Sequence, residues 1–175
     1  FPDDGYLGEE FPEGHRAPGA ENRLWAVDPN DGTSAYMKGF RGAATSIALL
    51  IAGEPVLGVV YAYNYPDDNG DLIAWAKGGP ILRNGMAVTP RWPSVPGPDC
   101  VVFVSQGADR CSEANAACVA PMRFRAMPGI AYRLALVAAG EGVAGVSLNG
   151  PGTWDFAGGH ALLLGAGGDL FGQNG

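Results

Sequence analysis

The hydrophobic pattern of the first half of the chain alternates short apolar runs with turns rich in Gly, Asp and Asn. Four runs carry the Val, Ile, Leu and aromatic residues typical of strands, and they cover residues 24–27, 43–52, 56–64 and 71–76. Gly53, Glu54 and Pro55 separate the second run from the third at the spacing of a hairpin. This pattern predicts an antiparallel meander.

The second half of the chain mixes strand and helix patterns. Residues 85–99 contain four prolines and predict a loop between the halves. Apolar runs predict strands at 101–105 and 143–148. Helical spacing of apolar residues predicts a helix at 130–139, and further helices are predicted at 113–120 and 156–164. Together the elements predict a layered α/β (α+β) fold in a single domain over residues 1–175, with halves at about 1–90 and 100–175.

Composition and charge limit the kinds of partner that this domain can bind. Eleven basic residues stand against 18 acidic ones, for a net charge of −7, which argues against a nucleic-acid polymer or an anionic membrane as partner. No apolar run reaches the length of a membrane span, and three cysteines without a CxxC pair fit a reducing cytoplasm. The N-terminus shows no signal-peptide pattern and no initiator Met, so we expect the chain to belong to a longer protein.

The segment from Asp28 to Ser34 carries the clearest candidate chemistry. Asp28 and Asp31 follow an apolar strand, and their carboxylates can converge with a backbone carbonyl between them on one point. Such oxygen-only ligands select hard cations such as Mg²⁺. The next residues offer backbone N–H groups and hydroxyls that suit a phosphate. The alternative is an Asx-type turn with no ligand.

Two further acidic positions extend this candidate site. Glu9 and Glu10 lie upstream, and Asp155 follows Trp154 at the start of a predicted apolar helix. Each position also has a plain structural explanation, because acidic pairs are common in solvated loops and Asp is a frequent helix N-cap. The three features together favour a shared site.

These motifs together resemble the inositol monophosphatase family. The resemblance rests on LGEE at 7–10, WAVDPNDGT at 25–33 and WDFAG at 154–158, and it spans nearly the whole chain. It implies a layered αβαβα fold with mixed and antiparallel sheets, and the activity of a lithium-sensitive type of phosphoric monoester hydrolase. It further implies two or three Mg²⁺ ions and a small phosphate monoester, such as an inositol or sugar phosphate, hydrolysed by metal-activated water. A homodimer is compatible with it.

The resemblance also implies roles for individual residues. The positions that match the family's metal ligands are the carboxylates of Glu9, Asp28, Asp31 and Asp155 and the backbone carbonyl of Asn30. The positions that match the family's substrate-binding residues are Gly32, Thr33, Ser34, Gly129 and Ile130. Catalytic roles fall on Asp31 and on Thr33, whose hydroxyl matches the group that orients the attacking water.

The sequence departs from the family pattern at several places. A Glu that contacts the inositol ring aligns near Leu148 or Asn149, and neither is acidic. The family's N-terminal helices, with a further carboxylate for the metal site, and its C-terminal end have no counterpart within residues 1–175. We therefore expect this chain alone to bind Mg²⁺ weakly, to be nearly inactive and to associate. The alternative function is a catalytically silent metal- or phosphate-binding fragment, or one domain of a fusion protein.

Overall fold

One large mixed sheet forms the first part of the fold. The computed structural model describes residues 1, 3–15, 22–148 and 150–172. Within these residues, eight strands form a sheet in the order β2-β1-β3-β4-β5-β6-β7-β8. They are β1 (Gly5–Gly8), β2 (Phe11–His15), β3 (Arg23–Asp31), β4 (Ala44–Ile51), β5 (Glu54–Ala62), β6 (Asp71–Ala76), β7 (Ile81–Arg83) and β8 (Met86–Val88). Neighbouring strands are antiparallel except β1 and β3, which are parallel.

A smaller parallel sheet and helices complete the described part of the chain. Strands β9 (Val101–Ser105), β10 (Arg123–Met127) and β11 (Ala144–Gly145) pair in the order β10-β9-β11. The helices are α1 (Thr33–Tyr36), α2 (Ser112–Val119), α3 (Ile130–Ala138) and α4 (Thr153–Ala166), with a 3₁₀ helix at Gln106–Cys111. No helix in the described ranges is long and apolar enough to cross a membrane.

The structure confirms the α/β class, the central meander and the three longer predicted helices, and it corrects several details. The loop predicted at 85–99 contains strand β8, and the strand predicted at 143–148 shrinks to β11. Strands β1, β2, β7 and β10 were not predicted. The smaller sheet is parallel, because its strands are joined through helices and not through hairpins.

Helix α3 forms the centre of the core. All nine of its residues are buried, which fits a helix that is apolar nearly all round. The core cluster around it takes Val60 and Ile73 from the large sheet, Phe103 from the small sheet and Leu162 from α4. Helix α3 is therefore held against both sheets, and its first turn has a fixed position.

Small residues bring α4 close to the large sheet. Ala157 packs against Ala26 and Ala48, and a Cβ added to Gly58 would lie 2.5 Å from the carbonyl oxygen of Gly158. Such close approach is open only to residues with little or no side chain. It places the first turn of α4, with Asp155, beside the end of β3.

We expect Gly158→Ala to destabilise the fold by about 1–3 kcal/mol, because overpacking a filled contact forces shifts. An added Cβ would lie 2.5 Å from the buried hydroxyl of Ser46 and 3.2 Å from the carbonyl oxygen of Ile47. Urea unfolding measures the change. Gly97→Ala is the control, since its methyl meets nothing within 4 Å and should change stability by less than about 0.5 kcal/mol. Equal stability of the two variants would contradict this packing account.

Candidate active site

An irregularity in β3 brings Asp28 and Asp31 to one place. In a regular strand these residues would face opposite sides of the sheet, because side chains alternate. The pairing with β4 shifts register between them: Asp28 lies opposite Ser46 and Asp31 opposite Ala44. Both aspartates are buried, at 1 % and 7 % exposure. The shift therefore directs both carboxylates into the protein.

Helix α4 adds a third carboxylate. One carboxylate oxygen from each of Asp28, Asp31 and Asp155 lies within 4.8 Å of the others. Asp155 also accepts a hydrogen bond from the N–H of Gly152 at 2.6 Å, so it caps the helix. The capping and cluster roles of Asp155 are compatible, because a carboxylate has several acceptor positions.

The first turn of α3 supports Asp31. The N–H of Ala131 donates to Asp31 Oδ2 at 2.6 Å. Arg133 is buried on the same helix, donates from Nε to the carbonyl of Gly129 at 3.0 Å and from Nη1 to the carbonyl of Val146. Burial lowers the pKa of Arg133 to about 10, while the charge of Asp31 acts in the opposite direction. Arg133 therefore stays cationic near neutral pH.

Burial and mutual repulsion oppose the ionisation of the carboxylate cluster. Burial raises the pKa of Asp28 to about 8, and the charge of Asp31 and a hydrogen bond with Asp155 add to this against the N–H of Asn30. Burial also raises the pKa of Asp31 to about 7, with the charge of Asp155 adding and Ala131 N–H and Arg133 opposing. A bound cation would oppose these shifts, because it favours the ionised form of both carboxylates.

Asn30 links the turn after β3 to Thr33. The Thr33 hydroxyl donates to the carbonyl of Asn30 at 2.7 Å and accepts from Asn30 Nδ2 at 3.2 Å. The hydroxyl of Tyr63 donates to Asn30 Oδ1 at 2.6 Å. This chain of hydrogen bonds fixes the orientation of the Thr33 side chain.

The other predicted site residues lie around this cluster at different depths. Glu9 is exposed and outside the 4.8 Å group, yet its charge contributes to the raised pKa values of Asp28 and Asp31. Thr33 and Ser34 are exposed in α1, next to Gly32. Gly129 touches the Asp31 carboxylate, whereas the Ile130 side chain belongs to the core. Any substrate contact at Ile130 would therefore come from its backbone.

Two residues of this region were not found from the sequence. Arg133 lies in an apolar helical run, where only its charge among Ala and Leu neighbours signals a special position. Tyr63 lies in an apolar strand pattern and carries no signal at all. Both act through tertiary contacts that spacing along the chain does not reveal.

The donors of the cluster fit a hard divalent cation. They are carboxylate oxygens, two from buried residues and one from the half-buried Asp155, and the carbonyl of Asn30 lies between Asp28 and Asp31 in the sequence. Mg²⁺ prefers such oxygen ligands and completes its shell with water. Neighbouring carboxylates raise the pKa values of both Asp28 and Asp31, and the Arg133 cation opposes this at Asp31. This excess of acidic groups is consistent with a site that binds a cation.

The layered α/β fold and this buried acidic cluster define the class of protein: one with an oxygen-only site between a mixed sheet and two helices. The model of the inositol monophosphatase family matches residues 1–175. The chain belongs to that family.

Individual relatives agree with this assignment. The chain is similar to histidinol-phosphatase of Chlorobaculum parvum, with 39 % identity over 88 residues that cover 50 % of this chain and 31 % of the relative. It is 29 % identical to the 3′(2′),5′-bisphosphate nucleotidase CysQ of Escherichia coli K12 over 168 residues, 95 % of this chain and 65 % of the relative. The chain thus spans about one third to two thirds of the length of these curated relatives.

Solved structures show the same fold. The extragenic suppressor protein SuhB of Bartonella henselae superposes with a TM-score of 0.76 at 27 % identity, over 95 % of this chain and 63 % of that one. An inositol monophosphatase from Anabaena (Nostoc) sp. PCC 7120 gives the same TM-score and identity, over 98 % and 71 %.

Proposed function

We propose that this chain carries the Mg²⁺ site of a phosphatase that hydrolyses small phosphate monoesters. The observation that carries the proposal is the convergence of the buried carboxylates of Asp28 and Asp31 with the half-buried carboxylate of Asp155. Membership of a family whose relatives include named phosphatases supports the reaction type. The proposal includes a cytoplasmic location and is compatible with a homodimer.

The proposed ligand set takes Asp28, Asp31, Asp155 and the carbonyl of Asn30, with Glu9 at the exposed side. Two or three ions would share these groups. When bound, such cations lower the pKa of water and neutralise charge on a phosphate. Three carboxylates from β3 and α4 come together within 4.8 Å, and Glu9, directly after β1, adds a carboxylate at the exposed side, which supports more than one ion.

The residues after Asp31 are proposed to bind the phosphate. Gly32 adopts a positive φ of 94°, and an added Cβ would lie 2.9 Å from Pro128 Cβ, so the turn requires glycine. First-turn N–H groups lack intrahelical acceptors, so Thr33 and Ser34 offer donors to an anion. The Thr33 hydroxyl donates a hydrogen bond to the carbonyl of Asn30 and keeps acceptor capacity that can orient a water molecule.

The substrate class is proposed more broadly than inositol phosphates. Leu148, one of two positions aligned with the inositol-contacting Glu, is 90 % exposed and apolar, and Asn149 lies outside the described residues. Sugar phosphates, histidinol phosphate and nucleotide 3′-phosphates therefore stay candidates beside inositol phosphates.

A phosphate-release screen tests this function. The esters above are incubated, with and without Mg²⁺, with this chain and with any longer gene product that contains it. Release that requires Mg²⁺ and is stopped by EDTA supports the proposal. Binding of Mg²⁺ or phosphate without release from any ester, by either form, would favour the alternative of a silent binding fragment or a fusion domain. Release that is independent of divalent cations would contradict the proposal.

We expect Gly129→Ala to weaken Mg²⁺ binding by at least about 10-fold, by analogy with the loss of groups that support metal ligands. An added Cβ would lie 2.4 Å from Asp31 Oδ2 and 2.7 Å from its Cγ, so the carboxylate must move. Terbium or Mg²⁺ titration measures the loss. Gly107→Ala is the control, because its methyl meets nothing within 4 Å. Unchanged affinity in Gly129→Ala would show that Asp31 is not a ligand in this position.

A further inference from the structure

A second buried acid, Asp71 on β6, lies outside the carboxylate cluster. Asp71 is fully buried and accepts two hydrogen bonds from Arg83, from Nε at 2.8 Å and from Nη2 at 2.7 Å. The hydroxyl of Tyr132 donates to Asp71 Oδ2 at 2.7 Å, and Asn84 lies at 3.4 Å. A buried charge with a two-pronged Arg partner and a further donor is well compensated and held in one geometry.

Arg83 also reaches the far end of α3. Its Nη1 donates to the carboxylate of Glu141, three residues after α3 ends. Tyr132 lies in the first turn of the same helix. Asp71, Arg83, Tyr132 and Glu141, here called the Arg83 clamp, therefore tie both ends of α3 to strands β6 and β7.

The clamp lies next to the support of Asp31. Tyr132 directly follows Ala131, whose N–H donates to Asp31 Oδ2 at 2.6 Å. The Tyr132 ring is fully buried and meets Tyr65 edge-on at 5.8 Å, so the hydroxyl has little freedom apart from its bond to Asp71. A shift of Tyr132 along its helix would move the Ala131 N–H and the carboxylate it holds.

We propose that Tyr132, held by Asp71 and Arg83, is a positioning residue that sets the place of the Asp31 carboxylate. It acts through the Ala131 N–H and touches neither substrate nor cation. This inference rests on the proposed function only where it concerns Mg²⁺ binding.

The test compares Tyr132→Phe with Ile73→Val in this chain. Tyr132→Phe removes only the hydroxyl, and Ile73→Val removes one buried methyl group next to the clamp, opposite Arg83 in the sheet, while all hydrogen-bonding groups of the clamp stay in place. Amide hydrogen exchange at Ala131, followed by NMR, reports on its bond to Asp31, and Mg²⁺ titration reports on the site. We expect Tyr132→Phe to speed exchange at Ala131 by at least about 5-fold and to raise the Mg²⁺ dissociation constant about 3- to 10-fold. We expect Ile73→Val to leave both near native values.

Each outcome decides the inference. Equal exchange at Ala131 in the two variants overturns it, and so does native Mg²⁺ affinity in Tyr132→Phe. If the native chain binds no Mg²⁺, the proposed function fails and Ala131 exchange alone decides the role of Tyr132. Should Tyr132→Phe not fold, Arg83→Lys replaces it, because Lys keeps the charge but loses the two-pronged bond to Asp71. The same acceleration at Ala131 is then expected, and its absence overturns the inference.

Discussion

Asp28→Asn is expected to weaken Mg²⁺ binding by at least about 100-fold, and to lower turnover in whichever form of the protein hydrolyses phosphate esters by a similar factor. Asp28 is the most buried carboxylate of the cluster, at 1 % exposure, and it interacts with both Asp31 and Asp155. Its loss removes charge from the centre of the proposed ligand set. Calorimetric titration and phosphate release measure the two effects.

Although Asp28→Asn weakens Mg²⁺ binding, it should stabilise the metal-free chain against unfolding. An amide at position 28 removes a buried acid whose ionisation is opposed by burial and by neighbouring carboxylates. Above pH 8, Asp28→Asn should therefore unfold at higher urea than the native chain. Asp99→Asn, at an exposed position, controls for the loss of one negative charge. Native Mg²⁺ affinity in Asp28→Asn would contradict the proposed ligand set.

The second large effect concerns pH. The pKa values of Asp28 and Asp31 are raised in the folded chain to about 8 and about 7, from a model-peptide value of 3.8. Between about pH 4 and about pH 8, the folded state therefore binds more protons than the unfolded state, so the free energy of unfolding falls as pH rises. For the metal-free chain, we expect the free energy of unfolding to fall by a few kcal/mol from about pH 4 to about pH 8.

Mg²⁺ should reverse this trend, because it binds the ionised carboxylates and stabilises the folded state. Urea unfolding at several pH values, with EDTA or with Mg²⁺, measures how the free energy of unfolding changes with pH in each condition. The Asp28→Asn variant should show a shallower slope in EDTA. A metal-free chain that gains stability between about pH 5 and 8 would contradict the burial of charged carboxylates at this site.

The parts of the fold that were predictable have strong local patterns. Strands β4 and β5 carry long β-branched and apolar runs around a hairpin turn, and α3 has an apolar pattern between Pro128 and Gly140. The missed strands are short and depend on neighbours. Strand β2 contains Pro and Gly, and β10 alternates Arg with apolar residues, so both owe their form to pairing in a sheet.

The candidate site shows the same division. The motif around Asp28 and Asp31 indicates a turn and oxygen ligands, but a regular strand would separate these two side chains. Only the register shift against β4 brings them together. Asp155 was joined to them by the co-occurrence of three acidic features and by the family resemblance, since the 123 intervening positions give no spacing signal. The contacts of Arg133 and Tyr132 depend on how α3 packs, which no local pattern encodes.

The central claim is that the carboxylates of Asp28, Asp31 and Asp155 form a Mg²⁺ site, and calorimetric titration of this chain near neutral pH tests it most directly. Runs in two buffers of different ionisation enthalpy separate the heat of binding from that of proton transfer. The raised pKa values of Asp28 and Asp31 predict saturable binding with net release of protons, and a loss of both in Asp28→Asn. No saturable binding at millimolar Mg²⁺, or binding that releases no protons and survives Asp28→Asn, would contradict it.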